Sequence, residues 1–311
     1  MFRKPFFYLF VCITFLGISA CDDDDDNVIP TTEQTIAQIV AGDAQFSILL
    51  EALELADLDA TLAGTGPFTV FAPTNAAFTA AGINLSTISQ ADLREVLLYH
   101  VIGGAALQST DLAEGQTYAT TAATTGPGNA QLSVLVERTG NNVTVNGNSN
   151  VTQANIVANN GVIHVVNTVL TPLDIVGHAQ ANSNFTSLVG ALGAADGGLV
   201  SVLQGDGPFT VFAPLNSAFT AIQSTVDGLT TEQLSKVLLY HVVSGANVRS
   251  STLAVGPVTT ANAGTTFQVN SISPPQITDA SGNQIDIVLT DVQATNGVIH
   301  VVSEVLVPNN L

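Results

Sequence analysis

The chain has no tryptophan, one methionine, two cysteines and only six basic residues among 311. Each shortage removes a class of explanation. Two cysteines, Cys12 and Cys21, cannot build a disulfide framework for a domain. Six Lys and Arg against 25 Asp and Glu give a formal charge of −19, a field that disfavours nucleic acid, heparin-like polymers and bare anionic lipid. Tyr99, Tyr118 and Tyr240 are the only tyrosines beyond the N-terminal stretch. With no tryptophan beside them, aromatic platforms for stacking sugar rings are scarce. Neither a His-Glu-x-x-His helix nor a Gly-x-Ser-x-Gly elbow occurs.

What is present begins with an export signal. Arg3 and Lys4 precede an apolar run, Phe6 to Leu16, which is too short to span a bilayer as a mature helix. Ile18-Ser19-Ala20-Cys21 resembles a bacterial lipobox, in which cleavage falls before a cysteine that then carries lipid. The alternative is an ordinary secretory signal with a chance cysteine. On the lipobox reading residues 1–20 are removed and Cys21 is the lipidation site. No thiol then remains for a disulfide. Cleavage takes Arg3 and Lys4 but no carboxylate, leaving Arg94, Arg138, Lys236 and Arg249 against all 25 acids, a formal −21. Asp22 to Asp26 follow Cys21 directly, so residues 21–31 read as a self-repelling tether. They also resemble the surface-export signal of some Gram-negative lipoproteins. The run lacks the glycine-spaced ligands of a calcium loop, which limits the expectation to a weak calcium dependence. The expected location is the outer membrane and cell surface of a Gram-negative bacterium.

The rest of the chain is written twice. Gly66-Pro67-Phe68-Thr69-Val70-Phe71-Ala72-Pro73 returns as Gly207 to Pro214, Leu97-Leu98-Tyr99-His100-Val101 as Leu238 to Val242, and Asn160-Gly161-Val162-Ile163-His164-Val165-Val166 as Asn296 to Val302. A period this long means two complete domains, not a solenoid. They are expected at 32–171 and 172–309, joined with almost no linker at Thr171-Pro172. Domains of this size bury about two-thirds of their unfolded surface without needing disulfides.

Within each copy the periodicity changes from helical to strand-like. Ile36, Ile39, Val40, Phe46, Leu49, Leu50 and Leu53 share one helical face, as do Leu173, Ile175, Val176, Phe185, Leu188, Val189 and Leu192. Phe68 to Phe71 alternates as a strand that Pro73 ends, and Asn75 and Asn216 are placed to cap the short helices after it. Ser89-x-x-Asp92 and Thr230-x-x-Gln233 read as capping boxes opening a second helix, which Gly103-Gly104 and Gly245 end. Val143 to Val145 and Ile285 to Val288 are strand-like, and Asn160-Gly161 and Asn296-Gly297 are hairpin turns. Final strands run from Val162 to Leu170 and from Val298 to Val307. The class is α+β, each copy a mostly antiparallel β-sheet wedge packed with several short helices.

These three blocks in this order resemble the fasciclin domain. Its first signature segment matches Thr69 to Phe78 and Thr210 to Phe219. Its Tyr-His element matches Tyr99-His100 and Tyr240-His241, and its second segment matches Asn160 to Leu170 and Asn296 to Leu306. The resemblance implies adhesion or extracellular-matrix contact and no enzyme activity, catalytic residue or cofactor. In animal matrix members the integrin contact is placed at an Asp-Ile pair and around the Tyr-His element. The corresponding positions are Asn155-Ile156, without the carboxylate, and Asp291-Val292, with it. Candidate ligand contacts are therefore Tyr99, His100, Tyr240, His241, Asp291 and Val292. The implied partner is an unidentified protein or glycan at the cell surface or matrix, with the membrane held through Cys21.

His100, His164, His241 and His300 repeat between the copies, whereas His178 does not. No second ligand stands at i+3 or i+4, so a hydrogen-bonded structural histidine is favoured over a metal site. Gly64-x-Gly66 and Gly205-x-Gly207 lead into strands and read as turns, not phosphate loops. Two other readings remain: a structural envelope protein without a specific ligand, and a hydrolase with an unrecognised site.

Overall fold

The structure, a computed structural model, describes residues 34–311. The leader, Cys21 and the acidic run lie outside the described residues. Residues Glu33–Leu311 group into one unit that contains both repeats.

The first repeat runs α1 (Ile36–Gly42), α2 (Ser47–Leu55), α3 (Asp59–Ala63), β1 (Phe68–Pro73), α4 (Asn75–Ala81), α5 (Gln90–Tyr99) and β2 (Val101–Gly103). The strands β3 (Gly115–Thr120), β4 (Ser133–Thr139), β5 (Asn142–Val145), β6 (Ser149–Ala158) and β7 (Gly161–Val166) complete it. The second follows this order with one added helix, α10: α6 (Ile175–Ala181), α7 (Thr186–Ala194), α8 (Leu199–Leu203), β8 (Phe209–Pro214), α9 (Asn216–Ala221), α10 (Gln223–Val226) and α11 (Thr231–Tyr240). Its sheet is completed by β9 (Val242–Ser244), β10 (Gly256–Thr259), β11 (Thr266–Ile272), β12 (Pro275–Thr278), β13 (Gln284–Ala294) and β14 (Gly297–Val302).

Each repeat forms one seven-stranded sheet, in the order β2-β1-β7-β6-β5-β4-β3 for the first. All pairs are antiparallel except β1 with β7 and β8 with β14. The parallel pair explains the run Val162 to Val166, apolar but for His164, because a strand covered on both faces is largely apolar. Ile163 and Val165 meet the helices through Val40, Leu49 and Leu97. Val166 faces a second core with Phe71, Tyr99 and Val134. The second repeat divides in the same way.

Ser89 caps α5 as expected, its hydroxyl accepting from the Asp92 N–H, but the cap of α4 is Thr74, one place before Asn75, accepting from the Ala77 N–H. Asn75 caps a different helix: its Oδ1 accepts from the Ile48 N–H in the first turn of α2, and its amide donates to the Ala44 carbonyl. Asn216 treats Ser187 and Ser183 identically. The residue thus sits one place too late to cap its own helix and pins a neighbour instead. Asn75→Ala should cost about 1–2 kcal/mol in urea unfolding. A loss under about 0.3 kcal/mol would show the pin to be idle.

The glycines also do other work than expected. α5 ends at Tyr99, and Gly104, at φ +80°, turns the chain only after β2, its N–H donating to Pro67. At the hairpin, Ala158 pairs with Gly161, so the turn residues are Asn159 and Asn160. Gly161 already belongs to β7, where a Cβ would lie 2.2 Å from the Phe68 carbonyl oxygen. The final strands stop at Val166 and Val302, short of the expected ends, and the chain beyond them is bonded to the histidines that follow α5 and α11, as described below.

Candidate functional site

The repeated histidines are structural by geometry. His100 Nδ1 donates to the Val96 carbonyl at 2.7 Å, and Nε2 accepts from the Leu170 N–H at 2.8 Å. His241 bridges Val237 and Leu306 in the same way. Each ring is neutral and ties the end of a helix to the segment after the last strand. Burial pushes both down to about 4, against the hydrogen bonds to Val96 and Val237. His164 and His300 donate through Nε2 to the Leu107 and Val248 carbonyls. Burial lowers both of these as well.

Tyr99 and Tyr240 are fully buried. Tyr99 donates to the Ser133 carbonyl and accepts from the Asn146 amide; Tyr240 donates to Thr266 and accepts from the Ala280 N–H. Burial raises both phenols. Four of the six candidate contacts, Tyr99, His100, Tyr240 and His241, therefore face the interior with their polar atoms satisfied. Val292 is 2% exposed and belongs to the core of the second repeat.

Asp291 alone of the six reaches a surface. It has φ +63° at a bulge in β13, as Asn155 does at the matching bulge in β6. Asn155 accepts from the Ser109 N–H and donates to the Ser109 hydroxyl. Asp291 accepts from both the N–H and the hydroxyl of Ser250. Carboxylate and amide thus perform one structural task, holding the loop after β2 or β9 against the bulge. The substitution between copies keeps this clamp while leaving a charge in the second.

That charge lies on a cleft formed by both repeats, about 800 Å³ in volume. Tyr118 to Thr120 of β3 and the loop around Asn129 line one wall; Arg249 and Leu289 to Asp291 line the other. The walls are tied together. Ser133 Oγ accepts from the Gln293 N–H at 2.9 Å, and Gln293 and Asn247 exchange amide hydrogen bonds beneath the loop carrying Pro127. Asn182 and Asn184 donate to Tyr118 and Gln116. His178 packs edge-on against Tyr118, ring centroids 5.7 Å apart. The same helical position in the first repeat is Ile39. Neither ring nitrogen of His178 finds a hydrogen-bond partner among the described residues. Burial pushes it down to about 4, weakly opposed by the Gln293 main chain.

The cleft was not legible in the sequence, because its walls come from segments far apart in the chain. One signal did exist. Residues 121–132, between β3 and β4, shrink to residues 260–265 in the second repeat, and the turn 279–283 is longer than its counterpart 146–148. The net five-residue difference hides a larger loop in the first copy, and that loop reaches the second repeat. Among the described residues no group of three or more His, Cys, Asp and Glu side chains could hold a metal ion.

Comparison with known proteins accords with this architecture. The fasciclin domain family matches residues 44–172 and again residues 183–308. Protein sll1483 of Synechocystis sp. is 38% identical over 141 residues, 44% of this chain and 74% of the relative. A fasciclin-like arabinogalactan protein of Arthroderma benhamiae is 32% identical over 190 residues, 60% of this chain and 43% of its own length. Human periostin is 27% identical over 260 residues, 79% of this chain but 29% of periostin. The chain thus spans less than half of the last two. Among solved structures, the FAS1 domain pair of the insect cell adhesion molecule fasciclin I has a TM-score of 0.51 at 18% identity. It covers 85% of this chain and 97% of the insect chain, a likeness of fold.

Proposed function

Because the chain belongs to the fasciclin domain family, we propose that it is a surface-anchored lipoprotein that makes adhesive or matrix contacts through its paired domains. The observation that carries this reading is the joining of the two repeats into one unit that leaves a polar cleft between them. An adhesion module needs an accessible surface of fixed shape. The ties from Ser133 to Gln293 and from Tyr118 to Asn182 provide that shape without spending the exposed cleft residues. The description of fasciclin I as an adhesion molecule supports the same class. The lipobox-like Ile18 to Cys21 supports attachment through lipid, in which each buried methylene contributes about 0.8 kcal/mol.

Two measurements test this. Cys21→Ser is expected to move the protein from the membrane fraction to the soluble one; unchanged fractionation would contradict the anchor. Surfaces coated with residues 22–311, which include the whole unit Glu33–Leu311, should retain cells or matrix, with and without calcium. Retention equal to an albumin-coated surface would favour a structural envelope protein.

A further inference from the structure

The cleft holds an unspent cation. Among the described residues Arg138 and Lys236 are engaged with Glu114 and Glu232, and Arg94 donates to the Ala56 and Asp57 carbonyls. Arg249 is exposed, lines the cleft, and its guanidinium has neither an ion pair nor a hydrogen bond. Asp291 lines the same cleft and is held by Ser250, and no ion pair joins it to Arg249. Thr120, Asn129 and Thr290 also line the cleft with side chains that find no hydrogen-bond partner among the described residues.

The strand edge across the cleft from Arg249 is open as well. β3 is the last strand of its sheet, so the main-chain groups on its side away from β4 have no strand partner. β13 loses β12 beyond Asp286, but β4 of the first repeat packs beside its end, where Ser133 Oγ takes the Gln293 N–H. One strand edge and one guanidinium therefore border the same space. Edges of this kind take up extended peptide by main-chain pairing, with side-chain pockets setting the choice. Arginine pairs with a planar carboxylate through two parallel N–H donors. Leu289, 41% exposed, adds an apolar contact.

We propose that the cleft binds an extended peptide segment bearing one carboxylate side chain, paired with Arg249 and laid along the β3 edge. This rests on the adhesion reading and specifies its ligand. Charge favours a single carboxylate over a polyanionic glycan, since the surrounding −21 field repels each further negative group. The scarcity of aromatic platforms argues against a sugar in the same direction.

The test uses residues 22–311 and two blocked heptapeptides, acetyl-Thr-Val-Thr-Glu-Thr-Val-Thr-amide and its glutamine counterpart. Titration followed by amide NMR should show the glutamate peptide binding at least about ten-fold more tightly at low salt, with shifts at Tyr118 to Thr120. Arg249→Gln should erase the preference while leaving the melting temperature unchanged, because the guanidinium bonds to nothing in the fold. Equal affinity for the two peptides, no binding of either, or a preference that survives Arg249→Gln would each overturn the proposal. So would capture of glucuronate in place of the peptide. Failure here with cells still retained on coated surfaces would remove the ligand assignment alone; peptide binding without retention would remove the adhesion reading.

Discussion

Acidification from pH 7 to pH 4 is expected to unfold the protein, through three histidines buried without charge. His100, His178 and His241 are all nearly inaccessible, and burial holds each at about 4. An unfolded histidine titrates near 6.5, so below that pH the unfolded chain binds protons that the folded chain refuses. Stability is therefore fully present above about pH 6.5 and is lost as pH falls through the folded values near 4. Each ring contributes a loss of about 2 kcal/mol at pH 5 and about 3 kcal/mol near pH 4. Three together approach the whole stability of a typical domain, about 5–15 kcal/mol. Lowered His164 and His300 act in the same direction. Urea unfolding at pH 7.5, 6 and 5 should show a steadily falling midpoint, and a flat profile to pH 4.5 would refute the assignment. His178→Leu separates the contributions. Its ring nitrogens find no hydrogen-bond partner among the described residues, and the Gln293 main chain acts on the ring against burial, so the variant should stay close to the parent at pH 7.5 and fall less steeply below pH 6.

Asn160→Ala and Asn296→Ala are each expected to remove about 3–4 kcal/mol, more than most single surface or core changes. Asn160 Oδ1 accepts from the Ile36 N–H at the start of α1, and its amide donates to the Leu62 and Gly64 carbonyls, both at 2.8 Å. Asn296 repeats this with Ile175, Leu203 and Gly205. One side chain thus fastens the first helix, the third helix and the hairpin of its repeat. Truncation strands three main-chain groups, and the desolvation cost of buried unpaired groups outweighs the small net value of the bonds themselves. Asn160→Asp should be no better, because a carboxylate faces two carbonyl oxygens that the amide had served as donor. Denaturant unfolding at pH 7.5 checks this; a loss below about 1 kcal/mol would show the clamp to be marginal. Gly161→Ala tests the neighbouring constraint. Its Cβ would meet the Phe68 carbonyl oxygen, which the parallel β1–β7 pairing holds in place. Loss of soluble, folded protein is expected.

These two sites show how sequence and structure relate here. Asn160-Gly161 marks a hairpin at the correct place, yet the asparagine's value lies in bonds to residues about a hundred positions away. Turn preference is local chemistry and can be read from a dipeptide; a clamp on Ile36 and Leu62 cannot. Asn75 follows the same pattern, since a cap-forming residue near a helix start was evident but its partner helix was not. The α+β class, the duplication and the strand order of types followed from periodicities of 2.0 and 3.6 and from the repeated blocks. A structural role for His100 and His241 was legible in the same way, from their repetition without a second ligand, whereas the resemblance that made Tyr99-His100 and Tyr240-His241 candidate contacts pointed to residues that lie in the interior. The cleft depends on how one repeat sits on the next. Unmatched features hinted at it: His178 without a counterpart, and residues 121–132 without an equal in the second copy.

The most direct test of the account compares attachment of cells or matrix to surfaces coated with residues 22–311, with Arg249→Gln, and with Gln108→Ala. Gln108 holds the position of Arg249 in the first repeat and lies outside the cleft. The account predicts that attachment falls with Arg249→Gln at least as far as peptide affinity does, and that Gln108→Ala behaves as the parent. Unchanged attachment by a folded Arg249→Gln protein would contradict it, and would place the contact surface elsewhere than between the two domains.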